Sequence, residues 1–460
     1  MGLRKRVLRS VAVLSLRQGL ALALAALSFL WVVPAIGPEA YGVFTLGQLG
    51  GQFLFLLLQM GLSIHLLQRP DLEKKHLDVA FAYLILAALV ALGLAWPLAW
   101  GTLQLARLPH KYFIPLFVLY AVPAAQLLSV IPGSLLERRM SYGPVAFGEN
   151  LSQVVGFLLA VCLAHTGFGV YAPIAGFVAH QVVLGGFLWA KAGYVPSLTL
   201  DQSCLGELLR GGLSQALPGW IAYPRLPLAL ALAHRFLGPE AGGLVAITVR
   251  LVEYGAFLRV VVLRVSLAAF SRLQEERPRL RQALEEGALL QALALGGGLS
   301  LLYFLMPVFA PWVLGSDWRA VWELFLVLSL AYLAGAPFLL ETATLHALGR
   351  GGEVARTSLL QLFLSLGGQL LFLPRLGLLG FAFGEVLALA AFVPLHRRLI
   401  VLLGRPSYRL AWGWTATIAL TFSYPYLGAG ALLPLLLWLV APMSWPTWSH
   451  LRRAWQTAKG

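Results

Sequence analysis

Six charged side chains interrupt long apolar runs at positions where they can do chemistry: Arg17, Arg225, Arg250, Glu253, Glu341 and Glu385. A guanidinium is a planar, weakly hydrated fork of donors, which suits a phosphate or diphosphate. A carboxylate held in apolar surroundings can take up and release a proton or hold a small cation, and a charge in such a place defaults to function because hydrocarbon penalises it. Each residue also has a plainer reading. An arginine in a membrane helix can pair with an acid or extend its head group to the interface. Glu253 stands three residues after Arg250 on one helical face, which makes a structural pair. Glu341 and Glu385 have no basic neighbour in sequence, so they are the stronger candidates for coupling to an ion. The competing reading is a hydrogen-bonded carboxyl between helices. Glu149 beside Asn150 is a further polar point, His180 reads as a packing histidine, and Arg264 as an interfacial anchor.

The elements that must position these groups are apolar spans. The chain has 460 residues, 59% hydrophobic and 12% charged, with a mean hydropathy of +0.80. Soluble domains carry about a quarter charged residues, and only a lipid solvent accepts this much apolar surface. Spans are expected near 11–36, 43–67, 77–101, 113–136, 144–165, 169–190, 209–236, 243–266, 286–308, 321–346, 355–374, 377–396, 408–427 and 430–445. The fold class is therefore all-α, a polytopic membrane protein of about 14 spans, or 12 if the proline-interrupted last pair does not cross.

Charge sorts along this pattern. Of the 34 Lys and Arg, 24 fall on the side that holds the N-terminus, five on the other and five inside spans. Basic residues retained in cytoplasmic loops give this alternation, which places both termini in the cytoplasm. The net charge of +15 belongs to those loops, and nucleic acid is set aside as a partner.

The chain also repeats. Gly37-Pro38-Glu39-Ala40-Tyr41-Gly42 recurs as Gly238-Pro239-Glu240-Ala241-Gly242-Gly243, and the same offset of 201 aligns Leu8-Arg9 with Leu209-Arg210. An even number of spans separates the copies, so the halves share one orientation. Two pseudo-symmetric six-helix lobes follow, 1–200 and 201–400, with a C-terminal helix pair and tail at 401–460. In this register Arg225 faces Leu24 and Arg250 faces Leu49. The first lobe does without these charges, which argues for a role beyond packing.

Other chemistries find no support. Cys162 and Cys204 have no metal-ligand spacing, there is no HExxH, and no GxxxxGK[ST] occurs. Gly296-Gly297-Gly298 reads as close packing or a hinge. No cofactor and no metal are expected. The first apolar run is longer than a signal-peptide core and reads as a retained helix.

The segments "IGPEAYGVFTLGQLGGQFLFLLLQMGLSIHLLQR", "RFLGPEAGGLVAITVRLVEY", "WVLGSDWRAVWELFLVLSLAYLAGAPFLLETATLHALGR" and "LGLLGFAFGEVLALAAF" resemble, in order and spacing, the polysaccharide transporters of the multidrug/oligosaccharidyl-lipid/polysaccharide (MOP) flippase superfamily. The resemblance covers roughly residues 1–400. It implies a two-lobe transporter of the inner membrane that moves undecaprenyl-diphosphate-linked oligosaccharides outward for O-antigen, capsule or exopolysaccharide assembly. On that reading Arg17, Arg225 and Arg250 bind the diphosphate, and Glu341, Glu385 or Glu253 couples transport to a proton or sodium ion. The partners are the lipid-linked substrate, the bilayer and polysaccharide polymerase or assembly proteins. A multidrug or cation exporter of the same superfamily is the nearest alternative, but that chemistry calls for first-lobe carboxylates and the first span carries Arg17. A polymerase or ligase enzyme fits less well, because the outer loops are short and poor in acids.

Overall fold

The computed structural model describes residues 3–139, 142–445 and Thr447. The side chains of residues 3–18, and with them Arg17, lie outside the described residues, as do Arg452, Arg453 and Lys459. Among the described residues the chain is all-helical, without strands. It forms two compact units, residues 1–246 and 247–460.

The first unit runs through α1 (Leu3–Gln59), α2 (Leu62–Gln68), α3 (Lys74–Leu105), α4 (Phe113–Leu128), α5 (Val130–Arg138), α6 (Tyr142–His165), α7 (Tyr171–Ala192), α8 (Gln202–Ala222) and α9 (Arg225–Leu237). The boundary falls inside α10 (Pro239–Gly255). The second unit continues with α11 (Phe257–Arg272), α12 (Arg277–Leu314), α13 (Trp318–Ala347), α14 (Gly351–Leu376), α15 (Leu378–Ala388) and α16 (Phe392–Leu403), then α17 (Arg409–Thr421), α18 (Tyr424–Leu427) and α19 (Leu433–Val440). Large apolar side chains such as Leu86, Leu89, Trp96, Val308, Trp312 and Phe363 stand exposed on these helices, as a lipid-facing surface requires.

Nine of the described helices are long and apolar enough to cross a membrane, ten if the bent pair Arg409–Thr421 and Tyr424–Val440 makes one span. Fourteen were expected from sequence; the last two fall on that bent pair, and two further features account for the rest of the difference. Gly37 bends a continuous helix that holds the first two expected spans. The seventh and eighth are each interrupted, at Tyr223–Pro224 and at Ala256, so that α9, α10 and α11 are too short to count, and α8 is long enough but not apolar enough.

The repeated corner has the same backbone in both copies. Gly37 has φ 80 and ψ 166, and Gly238 has φ 90 and ψ 170, a region open essentially to glycine alone. The following prolines then start the next helical segment, where their missing N–H costs nothing. Five residues after each of these glycines stands another, and these two meet. A Cβ on Gly42 would lie 2.6 Å from the Cα of Gly243, and one on Gly243 would overlap the carbonyl oxygen of Pro38. Small residues that let helix backbones approach this closely drive association in lipid, where the hydrophobic effect does not act between helices. The same device recurs within each unit. Gly156 and Gly176 bring α6 onto α7, with Cβ atoms that would lie 2.6 and 2.5 Å from the partner's carbonyl oxygen, and Gly368 meets Gly384 where α14 crosses α15. Gly298 packs on the backbone of Gly255 and Gly296 on Ile418, whereas a Cβ on Gly297 would meet nothing. The triple glycine is thus a packing seam.

Several of the basic residues counted by charge turn out to be staples. Arg138 donates to the carbonyls of Leu66, Leu67, Arg69 and Pro70 at the end of α2, satisfying acceptors a helix terminus leaves open. Arg139 donates to Ala192 at 2.8 Å. Asp78, 4% exposed, accepts from Tyr194 Oη at 2.6 Å, from the Ser197 hydroxyl at 2.6 Å and amide at 3.2 Å, and from Lys74 at 3.0 Å. Lys75 pairs with Asp201 at 2.5 Å and Arg69 with Glu207 at 2.9 Å. Asp201 caps α8 through the amides of Ser203 and Cys204. The Cys204 amide first, and then Lys75, hold its carboxyl down at about 2. Residues 193–201, the segment between the two repeats, are thereby tied to the start of α3.

Glycine identity along the seam gives a signed test. Gly243→Ala should lower the melting temperature of the detergent-solubilised protein, by the roughly 1–3 kcal/mol that overpacking costs. Gly297→Ala should leave it unchanged or raise it, because Ala favours a helix interior over Gly by about 0.5–1 kcal/mol. Equal melting of both variants would show that the backbone contact at Gly243 does not hold the corner.

Candidate functional site

The charged residues singled out by sequence fall into separate settings. Arg225, half-buried, is the first residue of α9, immediately after the break at Tyr223–Pro224. Pro224 just before it and Pro227 two residues after it line an apolar cavity of about 290 Å³ whose walls include Gly50, Leu94, Thr102, Tyr120 and Leu228. The polar point in that wall is the Thr102–Tyr120 hydroxyl pair, 2.7 Å apart. Arg250 belongs to the second unit and faces Glu253 at 3.5 Å, the i,i+3 pair expected on one helical face. Arg259 lies beyond the break at Ala256, on α11, with its guanidinium 5.2 Å from the centre of the Tyr332 ring.

Glu385, half-buried, accepts hydrogen bonds from Ser365 at 2.7 Å and Gln369 at 3.4 Å. Both donors are fully buried on α14, next to the Gly368–Gly384 crossing. A carboxylate at such a crossing binds two helices together.

Glu341 has a different environment. It lies on α13 with no exposed surface, beside Leu340 in a dry cluster that includes Phe270, Leu284, Leu395 and Leu399. Its Oε1 accepts from His396 Nδ1 at 2.7 Å and from the Tyr408 hydroxyl at 2.8 Å. Its Oε2 is buried with no hydrogen-bond partner among the described residues. An unsatisfied buried carboxylate oxygen is expensive, and its partner oxygen is held by an imidazole and a phenol brought from two other segments. The side chain of His396 remains 29% exposed and forms part of the wall of a cavity of about 600 Å³ with Arg405, Ser407, Tyr408, Arg409 and Trp412.

His396 and Tyr408 were not singled out from sequence. They lie 55 and 67 positions from Glu341, and no spacing rule links α13 to α16 and the loop before α17. The one available signal was a lone His beside Arg397-Arg398. His234 was missed too. It is 1% exposed, donates from Nδ1 to Leu230 at 2.8 Å, and fills the space that Gly42 and Gly242 leave open. His180 lies against the Gly156 contact, in keeping with a packing role. No group of three or more His, Cys, Asp or Glu able to hold a metal ion occurs among the described residues.

With this geometry in hand, comparison with known proteins is informative. Residues 35–323 match the polysaccharide biosynthesis protein family. The chain is similar to the succinoglycan biosynthesis transport protein ExoT of Rhizobium meliloti (strain 1021), 26% identical over 306 residues, which are 64% of this chain and 60% of ExoT. The match therefore spans less than two thirds of that relative. Among solved structures it is similar to the lipid II flippase MurJ in an inward closed conformation, with a TM-score of 0.72 at 14% identity over 93% of this chain and 96% of MurJ. It is also similar to an inward-facing multidrug resistance transporter of the MATE family in the MOP superfamily, with a TM-score of 0.64 at 16% identity over 85% and 98% of the two chains. At these identities the likeness is one of fold, and it covers nearly the whole helical bundle.

The Glu341–His396 contact predicts energetic coupling between two residues far apart in sequence. In a double-mutant cycle of Glu341→Gln and His396→Gln, thermal unfolding should show an interaction of at least about 0.5 kcal/mol. Strictly additive losses would mean that the hydrogen bond contributes nothing and that Glu341 is held by packing alone.

Proposed function

The chain belongs to the polysaccharide biosynthesis protein family, and on that premise we propose that it is a flippase for undecaprenyl-diphosphate-linked oligosaccharides. It moves precursors of O-antigen, capsule or exopolysaccharide from the cytoplasmic to the outer leaflet by alternating access. The observation that carries this reading is the family match over residues 35–323 together with a MurJ-like fold along 93% of the chain. ExoT, named for succinoglycan transport, points to the same class of cargo. Such a protein resides in the inner membrane with both termini in the cytoplasm. It works beside the polysaccharide polymerase and performs no bond chemistry of its own.

In this reading Arg17, Arg225 and Arg250 bind the diphosphate, because a fork of charge-assisted donors matches its oxygens and the aligned positions Leu24 and Leu49 show that the helices pack without charge. Glu341 is the coupling group, with a proton as the ion. Its known neighbours are a hydroxyl and an imidazole, a set that moves protons more readily than it coordinates sodium. Glu385 and Glu253 are secondary candidates, each already engaged by neighbours. The rival cation-exporter chemistry would use a first-lobe carboxylate. The buried one there, Asp78, is committed to Lys74, Tyr194 and Ser197.

Translocation of a defined diphosphate-linked glycolipid in proteoliposomes tests this reading. Arg225→Ala and Arg250→Ala should each reduce it about tenfold or more, the equivalent of losing one charge-assisted hydrogen bond of roughly 1.5–3 kcal/mol. Arg→Lys should reduce it less, and Arg259→Ala should stay within about twofold. Glu341→Gln should abolish the response to a proton gradient while membrane levels hold. Undiminished transport by all of these variants would remove both the site and the coupling group.

Sidedness is checked separately in a Cys162→Ser, Cys204→Ser background. A cysteine at the exposed Glu240 should react with an impermeant maleimide from outside, and one at the exposed Arg356 only after the membrane is opened. The reverse pattern would invert the topology.

A further inference from the structure

The cavity of about 600 Å³ before α17 carries basic residues that the transport reading does not use, beside the His396 and Tyr408 that bond Glu341. Its walls are His396, Arg405, Pro406, Ser407, Tyr408, Arg409 and Trp412. Every ionisable group on that wall other than the Tyr408 phenol is basic, and no carboxylate lines it. Two acids approach from neighbouring helices, and both are occupied. Glu285 of α12 accepts the Ser407 amide at 2.8 Å. Glu341 of α13 lies behind His396 and Tyr408, which both donate to it. Arg405 and Arg409 are exposed and pair with no carboxylate among the described residues, in contrast to nearby Arg398 and Arg350, which share Glu353 at 3.0 and 3.6 Å. The loop itself brings more positive charge. Gly404 turns the chain with φ 78, and a Cβ there would lie 3.0 Å from Nη1 of Arg281, so a third guanidinium backs the turn.

We propose that this cavity binds a phosphate group, held by the guanidiniums of Arg405 and Arg409 with the Ser407 hydroxyl completing the donors. Arginines that merely fix orientation reach individually into the interface and need no shared cavity. Two forks converging on one concave site, with their acids diverted elsewhere, match the oxygens of a phosphate mono- or diester. The exposed indole of Trp412 at the rim offers an apolar face to whatever carries the phosphate, and basic pockets between membrane helices are favourable sites for anionic lipid head groups. Arg405, Ser407 and Arg409 belong neither to the proposed diphosphate site nor to the contacts of Glu341, so the arginine variants test this inference independently of that reading.

The test uses the purified full-length protein with two probes, inorganic pyrophosphate in solution and phosphatidylglycerol in phosphatidylcholine nanodiscs. Saturable binding of at least one is expected, weakened tenfold or more by the double variant Arg405→Gln, Arg409→Gln. Arg405→Lys, Arg409→Lys should weaken it less, and Arg397→Gln, which removes an exposed charge outside the cavity, should change it less than twofold. Binding of pyrophosphate identifies a soluble phosphate ligand. Retention of phosphatidylglycerol alone identifies a membrane head group, and either result supports the site. Failure to saturate with both probes, or equal weakening by Arg397→Gln, would reduce the cavity to diffuse positive charge and overturn the proposal. Unchanged melting temperatures of the variants would establish that each is folded.

Discussion

A polar group inside hydrocarbon must find a partner or water, and most of this structure follows from that constraint. Backbone groups meet it by forming helices throughout. Side chains meet it locally. Glu385 takes Ser365 and Gln369 as donors, and Arg259 lies over Tyr332. Tyr303 sends its buried hydroxyl to the carbonyl of Phe422 at 2.6 Å. Against this background, fourteen buried side-chain atoms have no hydrogen-bond partner among the described residues, the second oxygen of Glu341 and the Nε2 of His234 among them. Glu341 is the carboxyl among them whose other oxygen contacts an imidazole that reaches a cavity. That combination makes it a better candidate for a working group than for a structural one.

The fold class was legible in the sequence because it depends on quantities that sum over many residues. Apolar run length and the sorting of basic residues need no knowledge of contacts. The corner repeat was legible for a related reason: Gly37 and Gly238 occupy a backbone conformation that excludes other residues, so the structure stamps its geometry on the sequence. The interruptions at Tyr223–Pro224 and Ala256 were missed, although Pro224, Arg225, Pro227 and Gly255 stand at or beside them. The Glu341 environment was missed as well. Reading Glu341 as lacking a basic neighbour is correct along the chain and incomplete in space, because His396 arrives from α16. Pairs within one helical turn, such as Arg250 with Glu253, are the kind that spacing does predict.

Charge counting also hid a distinction that matters for mechanism. Arg138, Arg139, Lys74 and Lys75 contribute to the orientation signal, yet each is committed to a carbonyl or a carboxylate in the first unit. Arg405 and Arg409 contribute equally to that signal and have no such commitment among the described residues. Identical entries in a charge tally thus divide into staples and available donors. Only the second kind can bind an anion without first giving up an existing partner, which is why the cavity before α17 carries an inference and the richer ion-pair network around Asp78 does not.

The two kinds of contact also differ in what separating them would cost. At the Gly42–Gly243 corner the surfaces in contact are helix backbone whose N–H and C=O groups are, apart from those at the kink, already bonded within their own helices. Parting them loses dispersion contacts and uncovers no unsatisfied polar group. The segment 193–201 is held instead by Asp78, Asp201 and their donors, and breaking those bonds would leave the carboxylate of Asp78, 4% exposed, without its donors. If the chain works by the proposed alternating access, the first kind of contact can open and close at modest cost, while the second must stay intact or move as a body. The glycine corner is therefore the natural place for motion in the first unit, and the Asp78 network the natural place for rigidity.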